Sequence, residues 1–94
     1  MTIKNISYRF SSHNLELVFE VESEEVLIVI DGASISDAFS ESDDWKGLFT
    51  KNAENITALV GVFVAKEFSE NRLKAGRYLL DSINFNNLMN QLPK

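Results

Sequence analysis

The chain of 94 residues contains no cysteine and only one proline. Without cysteine the protein has no disulfide, no thiolate nucleophile and none of the common cysteine-based zinc sites. The first residues lack the apolar core of a signal peptide, and no apolar run approaches the roughly 20 residues that span a bilayer. These absences predict a soluble, cytoplasmic protein that does not enter a membrane.

The motifs of the common reaction classes are also missing. The sequence contains no phosphate-binding loop, dinucleotide fingerprint, zinc-protease helix or nucleophile elbow. Its only histidine, His13, follows two serines, but a catalytic pair is assembled by folding and needs a third, orienting group. The carboxylates between Glu41 and Asp44 lack the spacing of an EF-hand, and helix capping accounts for two of them. We therefore predict a non-enzymatic protein with no catalytic residue, no cofactor, no metal site and no identifiable small-molecule ligand.

Charge is distributed unevenly along the chain, whose net charge is −5. Up to Trp45, two basic residues face ten acidic ones, whereas beyond it seven basic residues face four acidic ones. Nucleic acid is an improbable partner, because clustered lysine and arginine supply most of the nonspecific affinity for phosphates. One basic cluster is a candidate contact for an anion or an acidic partner; it comprises Lys66, Arg72, Lys74 and Arg77.

Two β-patterned runs give the clearest structural signal. Leu15 to Val21 alternates apolar and mainly acidic positions, as in a strand with one buried and one wet face. Val26 to Ile30 is apolar throughout, which is typical of a strand at the centre of a sheet or covered on both faces. The polar residues 22–25 between them predict a hairpin. The alternation of Ile6, Tyr8 and Phe10 indicates a further strand near the N-terminus.

Helices are predicted on both sides of an acidic loop at residues 40–44. Asp31 can cap a short first helix that ends near Phe39, and a turn at Asp31 with a helix start at Ser34 fits equally well. After the loop, with Ser42 or Asp43 as cap, apolar residues at spacings of three and four predict one amphipathic helix. This helix runs from Trp45 to about Phe68.

The end of the chain contributes one more strand. Gly76 precedes a segment with strand pattern, Arg77 to Ile83, and the remaining residues 86–94 form a short tail or a helix that Pro93 ends. The length corresponds to a single domain, residues 1–94, with its core in residues 15–85. We predict the α+β class: two layers, an antiparallel sheet of three to four strands in the order (β)ββααβ, and helices packed on one face.

The spacing of the apolar residues is similar to that of a known family. The matching positions are Leu17 and Phe19, then Val26, Ile28 and Ile30, then Ile35, Phe39, Phe49 and Ile56, and finally Leu80-Asp81-Ser82-Ile83-Asn84-Phe85. Over roughly residues 15 to 85 the chain resembles the small bacterial proteins of the DUF1488, or Shew3726-like, family. The resemblance implies a two-layer fold with an antiparallel sheet against helices. It carries no established activity, so no catalytic residue is transferred. Ser23 stands where members often have a turn glycine, and Ile28 where many have a cysteine.

One face of the predicted sheet is left without cover. Helices on one side cover only one face of an all-apolar strand, so the other face needs either a partner or a fold-back of the N-terminal strand or C-terminal tail. The residues expected there are Val18, Leu27, Val29 and Leu79. We predict a module that binds a protein, itself or another, through this face. A second hypothesis is a regulator of nucleic-acid transactions that acts as an acidic mimic or through the Lys66 to Arg77 cluster.

Overall fold

A computed structural model describes residues 2–39 and 44–92, which form one sheet and a layer of helices. The elements are β1 (Ile3–Ser11), β2 (Asn14–Val21), β3 (Glu24–Asp31), α1 (Gly32–Phe39), α2 (Trp45–Ser69), β4 (Gly76–Leu80) and α3 (Ser82–Met89). The strands lie in the order β1-β2-β3-β4. The predicted α+β class is confirmed. Of the loop expected at residues 40–44, only Asp44 lies within the described residues.

The first three strands pair antiparallel, as the alternation predicts. On β2, every second residue from Leu15 to Val21 is almost completely buried against the helices. Those residues pair with the inward positions of β3, for example Leu17 with Ile28. The core therefore lies between the sheet and the helical layer.

The turn between β2 and β3 has left-handed backbone at two residues that are not glycine. The φ angles are 51° at Glu22 and 67° at Ser23. Two-residue hairpin turns of this kind favour glycine, since a Cβ atom in the left-handed region meets the following carbonyl oxygen.

Replacement of Ser23 by glycine is expected to raise the free energy of unfolding by about 0.5–1 kcal/mol, because relief of the left-handed strain outweighs the added freedom of the unfolded chain. Urea denaturation measures the change. Ser7→Gly is the matched control: Ser7 lies in β1, outside the left-handed region, and this substitution is expected to destabilise. An equal effect of both substitutions would contradict the strain at Ser23.

The last strand corrects the prediction of a wholly antiparallel sheet. β4 pairs parallel with β3, with Tyr78 opposite Ile28 and Leu80 opposite Ile30. Parallel neighbours need a long crossover, and α1 and α2 provide it by returning the chain to the same end of the sheet. The sheet is therefore mixed.

Side-chain caps decide where the first two helices begin. The Ala33 N–H donates to Asp31 Oδ1 at 2.8 Å, so α1 starts at Gly32 and the alternative start at Ser34 is wrong. The Gly47 N–H donates to Asp44 Oδ1 at 3.1 Å. Asp44 therefore caps α2, in place of the predicted Ser42 or Asp43.

The helix α2 has the predicted span but not the predicted continuity. Asn52 has non-helical φ and ψ angles of −115° and 15°, and its Nδ2 donates to the Leu48 carbonyl oxygen at 2.8 Å. An asparagine side chain that bonds to the backbone competes with the helical hydrogen bonds, which accounts for the kink. The helix nevertheless buries Phe49 before the kink and Ile56 after it.

The C-terminal boundary differs from the prediction. The Asn84 N–H donates to Asp81 Oδ1 at 2.8 Å, so Asp81 ends β4 and caps α3. Ile83, expected in the last strand, instead lies on α3 and is 73% exposed. The buried residues of α3, among them Leu88 and Met89, extend the core beyond residue 85.

The helices occupy one face of the sheet, as predicted. Phe85 of α3 belongs to the same buried cluster as Ile35 of α1 and Ile56 of α2. The N-terminal strand extends the sheet beside β2. Therefore neither the N-terminal strand nor the C-terminal helix folds back over the face of the sheet opposite the helices.

Candidate protein-binding surfaces

The four residues expected on the uncovered face lie together. Val18 stands opposite Leu27, and Val29 stands opposite Leu79. Leu27 and Val29 are two positions apart on β3, so all four side chains project from the same face. We call the sheet face opposite the helices the open face.

Exposure differs sharply within this group. Leu79 is 64% exposed, Val18 and Leu27 are half-buried, and Val29 is fully buried. The expectation that Val29 needs external cover is therefore wrong, since neighbouring side chains of the same chain already bury it. The exposed apolar patch of the open face consists of Val18, Leu27 and Leu79.

Charged residues surround this patch in an ordered way. Lys4 of β1 stands opposite Glu20 of β2, which in turn stands opposite Glu25 of β3. At the other edge of the sheet, Arg77 of β4 stands opposite Leu27. The edge strands therefore carry the cations of the open face and the central strands carry its carboxylates.

One carboxylate of the open face is buried by an ion pair. Glu16 is only 5% exposed, and the Nε of Arg9 donates to its Oε1. The Arg9 side chain itself remains 70% exposed. A guanidinium has five N–H donors, so Arg9 can bind a second carboxylate while it holds the first.

A second surface, which sequence analysis missed, lies along β1. Three of the large exposed apolar residues are on this strand: Ile6 is 47% exposed, Tyr8 47% and Phe10 36%. Their alternation in the sequence indicates a strand and does not by itself reveal this exposure. The absence of any acidic residue from Thr2 to Asn14, in an acidic chain, was a further signal that this segment forms a distinct surface.

An apolar groove runs beside β1, between that strand and α2. Its volume is about 530 Å³. The lining residues are Ile3, Asn5, Phe19, Glu54, Thr57, Ala58, Gly61, Val62 and Ala65. Val62 is 66% exposed, the most exposed large apolar residue of α2. We call this feature the edge groove.

The predicted basic cluster is partly neutralised. Arg72 donates from Nε to Glu67 Oε2 at 2.6 Å and from Nη2 to Glu67 Oε1 at 3.1 Å, and it also pairs with Glu70. The hydrogen bond from Arg72 lowers the pKa of the Glu67 carboxyl and raises the pKa of Arg72. Lys66, Lys74 and Arg77 are exposed. Arg72 is thus engaged by two carboxylates of its own segment.

Among residues 2–39 and 44–92, His13 belongs to no cluster of side chains suited to catalysis or metal binding. His13 borders a pocket of about 520 Å³ together with Ser36 and Asp37, but within residues 2–39 and 44–92 its side chain makes no hydrogen bond. No three histidine, aspartate or glutamate side chains in the described part of the chain lie close enough to hold a metal ion. Glu41 and Asp43 lie outside that part.

The described residues thus form two exposed surfaces, the open face and the edge of β1 with its groove. No helix among the described residues is long and apolar enough to cross a membrane. Comparison of the chain with protein-family models, with curated proteins and with solved structures gave no match.

Proposed function

We propose that the protein is a non-enzymatic module that associates with a second copy of itself through the open face. The observation that carries this proposal is the exposure of Leu79, at 64%, beside the half-buried Leu27 and Val18. These side chains form one apolar patch that no described element covers. Burial of such a patch is favourable by roughly 25 cal/mol per Å² of apolar surface removed from water.

The charge pattern supports a second copy as the occupant. In a two-fold interface the same surface meets itself, so charges on a self-binding surface attract one another only if both signs are present. The open face has Lys4 and Arg77 on its edge strands and Glu20 and Glu25 at its centre. When two such faces cross near right angles, as sheets do in orthogonal packing, the edge strands of one copy pass over the central strands of the other, which brings cations towards carboxylates.

Two further parts of the proposal rest on the sequence. Membership of the DUF1488 family is supported by the matching apolar positions, and a cytoplasmic location by the cysteine-free composition. The nucleic-acid hypothesis has less support, since Arg72 is held by Glu67 and Glu70.

Sedimentation equilibrium of the purified protein, from about 1 µM to about 1 mM, tests the proposal. The wild-type protein is expected to dimerise, and Leu79→Lys is expected to weaken the dimer at least about tenfold, because it places a charge in the apolar patch that the dimer buries. Leu79 is exposed in the single chain, so the fold should tolerate the change.

Ile83→Lys is the matched control, because Ile83 is 73% exposed but lies on α3, away from the open face. The control is expected to leave the dimer unchanged. A monomer at every concentration would contradict self-association, and equal weakening by both lysine substitutions would contradict the choice of the open face.

A further inference from the structure

We propose that the outer edge of β1 and the edge groove together bind an extended segment of another protein, which adds to the sheet as a fifth strand. The segment alternates apolar and acidic residues. This site lies along the edge of β1 and not on the apolar patch Val18, Leu27 and Leu79 of the open face, so the proposal does not depend on self-association.

The edge of β1 is available for a new strand. β1 is nine residues long, has β2 as its one neighbour in the sheet, and is exposed at seven of its nine positions. An edge strand presents a row of unpaired N–H and C=O groups, which is the template that strand addition uses.

The hairpin geometry identifies which backbone groups face outward. A two-residue turn joins Ser11 to Asn14, which makes these residues the hydrogen-bonded pair that closes the hairpin. Bonded and non-bonded pairs alternate along an antiparallel ladder, so Arg9 also bonds to β2. The N–H and C=O groups of Tyr8 and Phe10 therefore point away from β2, towards an incoming strand.

The edge groove receives the apolar side chains of that strand. A strand added beside β1 directs every second side chain to the helix side of the sheet. There the groove offers Ile3 and the small or exposed residues Ala58, Gly61 and Val62 of α2. The absence of a side chain at Gly61 keeps this space open, since a Cβ atom there would stand 3.4 Å from the Phe19 ring.

The charges of β1 favour acidic residues at the alternate positions of the added strand, between the apolar ones. Lys4 and Arg9 are the charged residues of β1, and on its inner side β2 places Glu20 and Glu16 opposite them. A strand on the outer side with carboxylates at the same positions meets the same two cations on the open face. A second copy's β1 would bring its own cations beside them, so the occupant is a different, acidic protein segment.

The strand β2 supplies the probe for a test, because its sequence already has this pattern. The probe is a synthetic peptide of residues 14–21, Asn-Leu-Glu-Leu-Val-Phe-Glu-Val. It is titrated into the ¹⁵N-labelled Leu79→Lys variant, whose dimerisation is weakened, so that changes in the spectrum report peptide binding and not self-association. The amide chemical shifts are expected to change with peptide concentration and to reach saturation. Hydrogen exchange should become slower at the amides of Tyr8 and Phe10 and change little at Arg9. A control peptide with lysine in place of both glutamates is expected to bind at least about tenfold more weakly.

A variant in the edge groove completes the test. Val62→Lys is expected to weaken peptide binding at least about tenfold without unfolding the protein, because Val62 is 66% exposed. Ile83→Lys, at a similarly exposed position on α3, is expected to leave binding unchanged. Equal binding of the two peptides, shifts confined to the open face, or absence of protection at Tyr8 and Phe10 would overturn the proposal.

Discussion

Truncation of Phe49 to alanine will lower the free energy of unfolding by about 3–5 kcal/mol, the range typical of a buried phenylalanine. Phe49 is fully buried. Its ring lies edge-on to Tyr8, with 4.9 Å between the centroids, and perpendicular to Phe10 at 6.0 Å. These two partners are on the edge strand, so Phe49, together with Trp45, joins α2 to β1. Both the buried area and the aromatic contacts are lost in the alanine variant.

Urea denaturation followed by far-ultraviolet circular dichroism measures this loss. Val62→Ala serves as the control, because Val62 is 66% exposed and its truncation should change the stability by less than about 0.5 kcal/mol. Amide exchange adds a local readout: exchange should accelerate more in β1 than in β3. A loss below about 1 kcal/mol, or uniform acceleration across the sheet, would contradict this role of Phe49.

Gly32→Ala is expected to lower the free energy of unfolding by about 1–3 kcal/mol, as overpacking does. A Cβ atom at this position would stand 2.4 Å from the Cε2 and Nε1 atoms of Trp45. The indole is itself held by the Phe10 ring, at a centroid distance of 5.5 Å. Alanine normally stabilises a helix by about 1 kcal/mol relative to glycine, so the sign of the effect identifies the clash.

A double-mutant cycle with Trp45→Ala tests this explanation. Once the indole is removed, Gly32→Ala should become neutral or stabilising, because only the gain in helix propensity remains. Chemical denaturation of the four proteins gives the coupling energy. The same loss of stability in both backgrounds would show that Trp45 is not the obstacle.

The sequence was sufficient for those elements whose signal is local. Alternation from Leu15 to Val21 predicted β2 because each side chain reports its own face of the strand. The direction of β4 relative to β3 could not be predicted, because a strand of five residues has the same apolar pattern in parallel and antiparallel pairing. The end of β4 was misplaced because Asp81 continues the outer face of Arg77 and Leu79, while the cap that ends the strand depends on the position of the Asn84 amide.

For the candidate surfaces too, features that depend on a local pattern could be predicted from the sequence, and features that depend on contacts between distant residues could not. Period-two spacing was enough to place Leu27 and Leu79 on one face. The burial of Val29 depends on side chains from neighbouring strands and could not be seen in one strand's sequence. The edge groove was missed because it joins residues that are far apart in the chain, such as Ile3 and Val62. Only the fold brings them together.

The parallel pairing of β3 with β4 also has a consequence for biosynthesis. Val26 pairs with Gly76, which is added to the growing chain only after α1 and α2 have been synthesised. Until then a nascent chain presents five consecutive apolar residues, Val26 to Ile30, on an unpaired flank. Such segments are prone to aggregate, and closing long loops is slow. Proteolytic cleavage before Gly76, followed by loss of the released segment, would expose this flank again, and the shortened protein is then expected to aggregate.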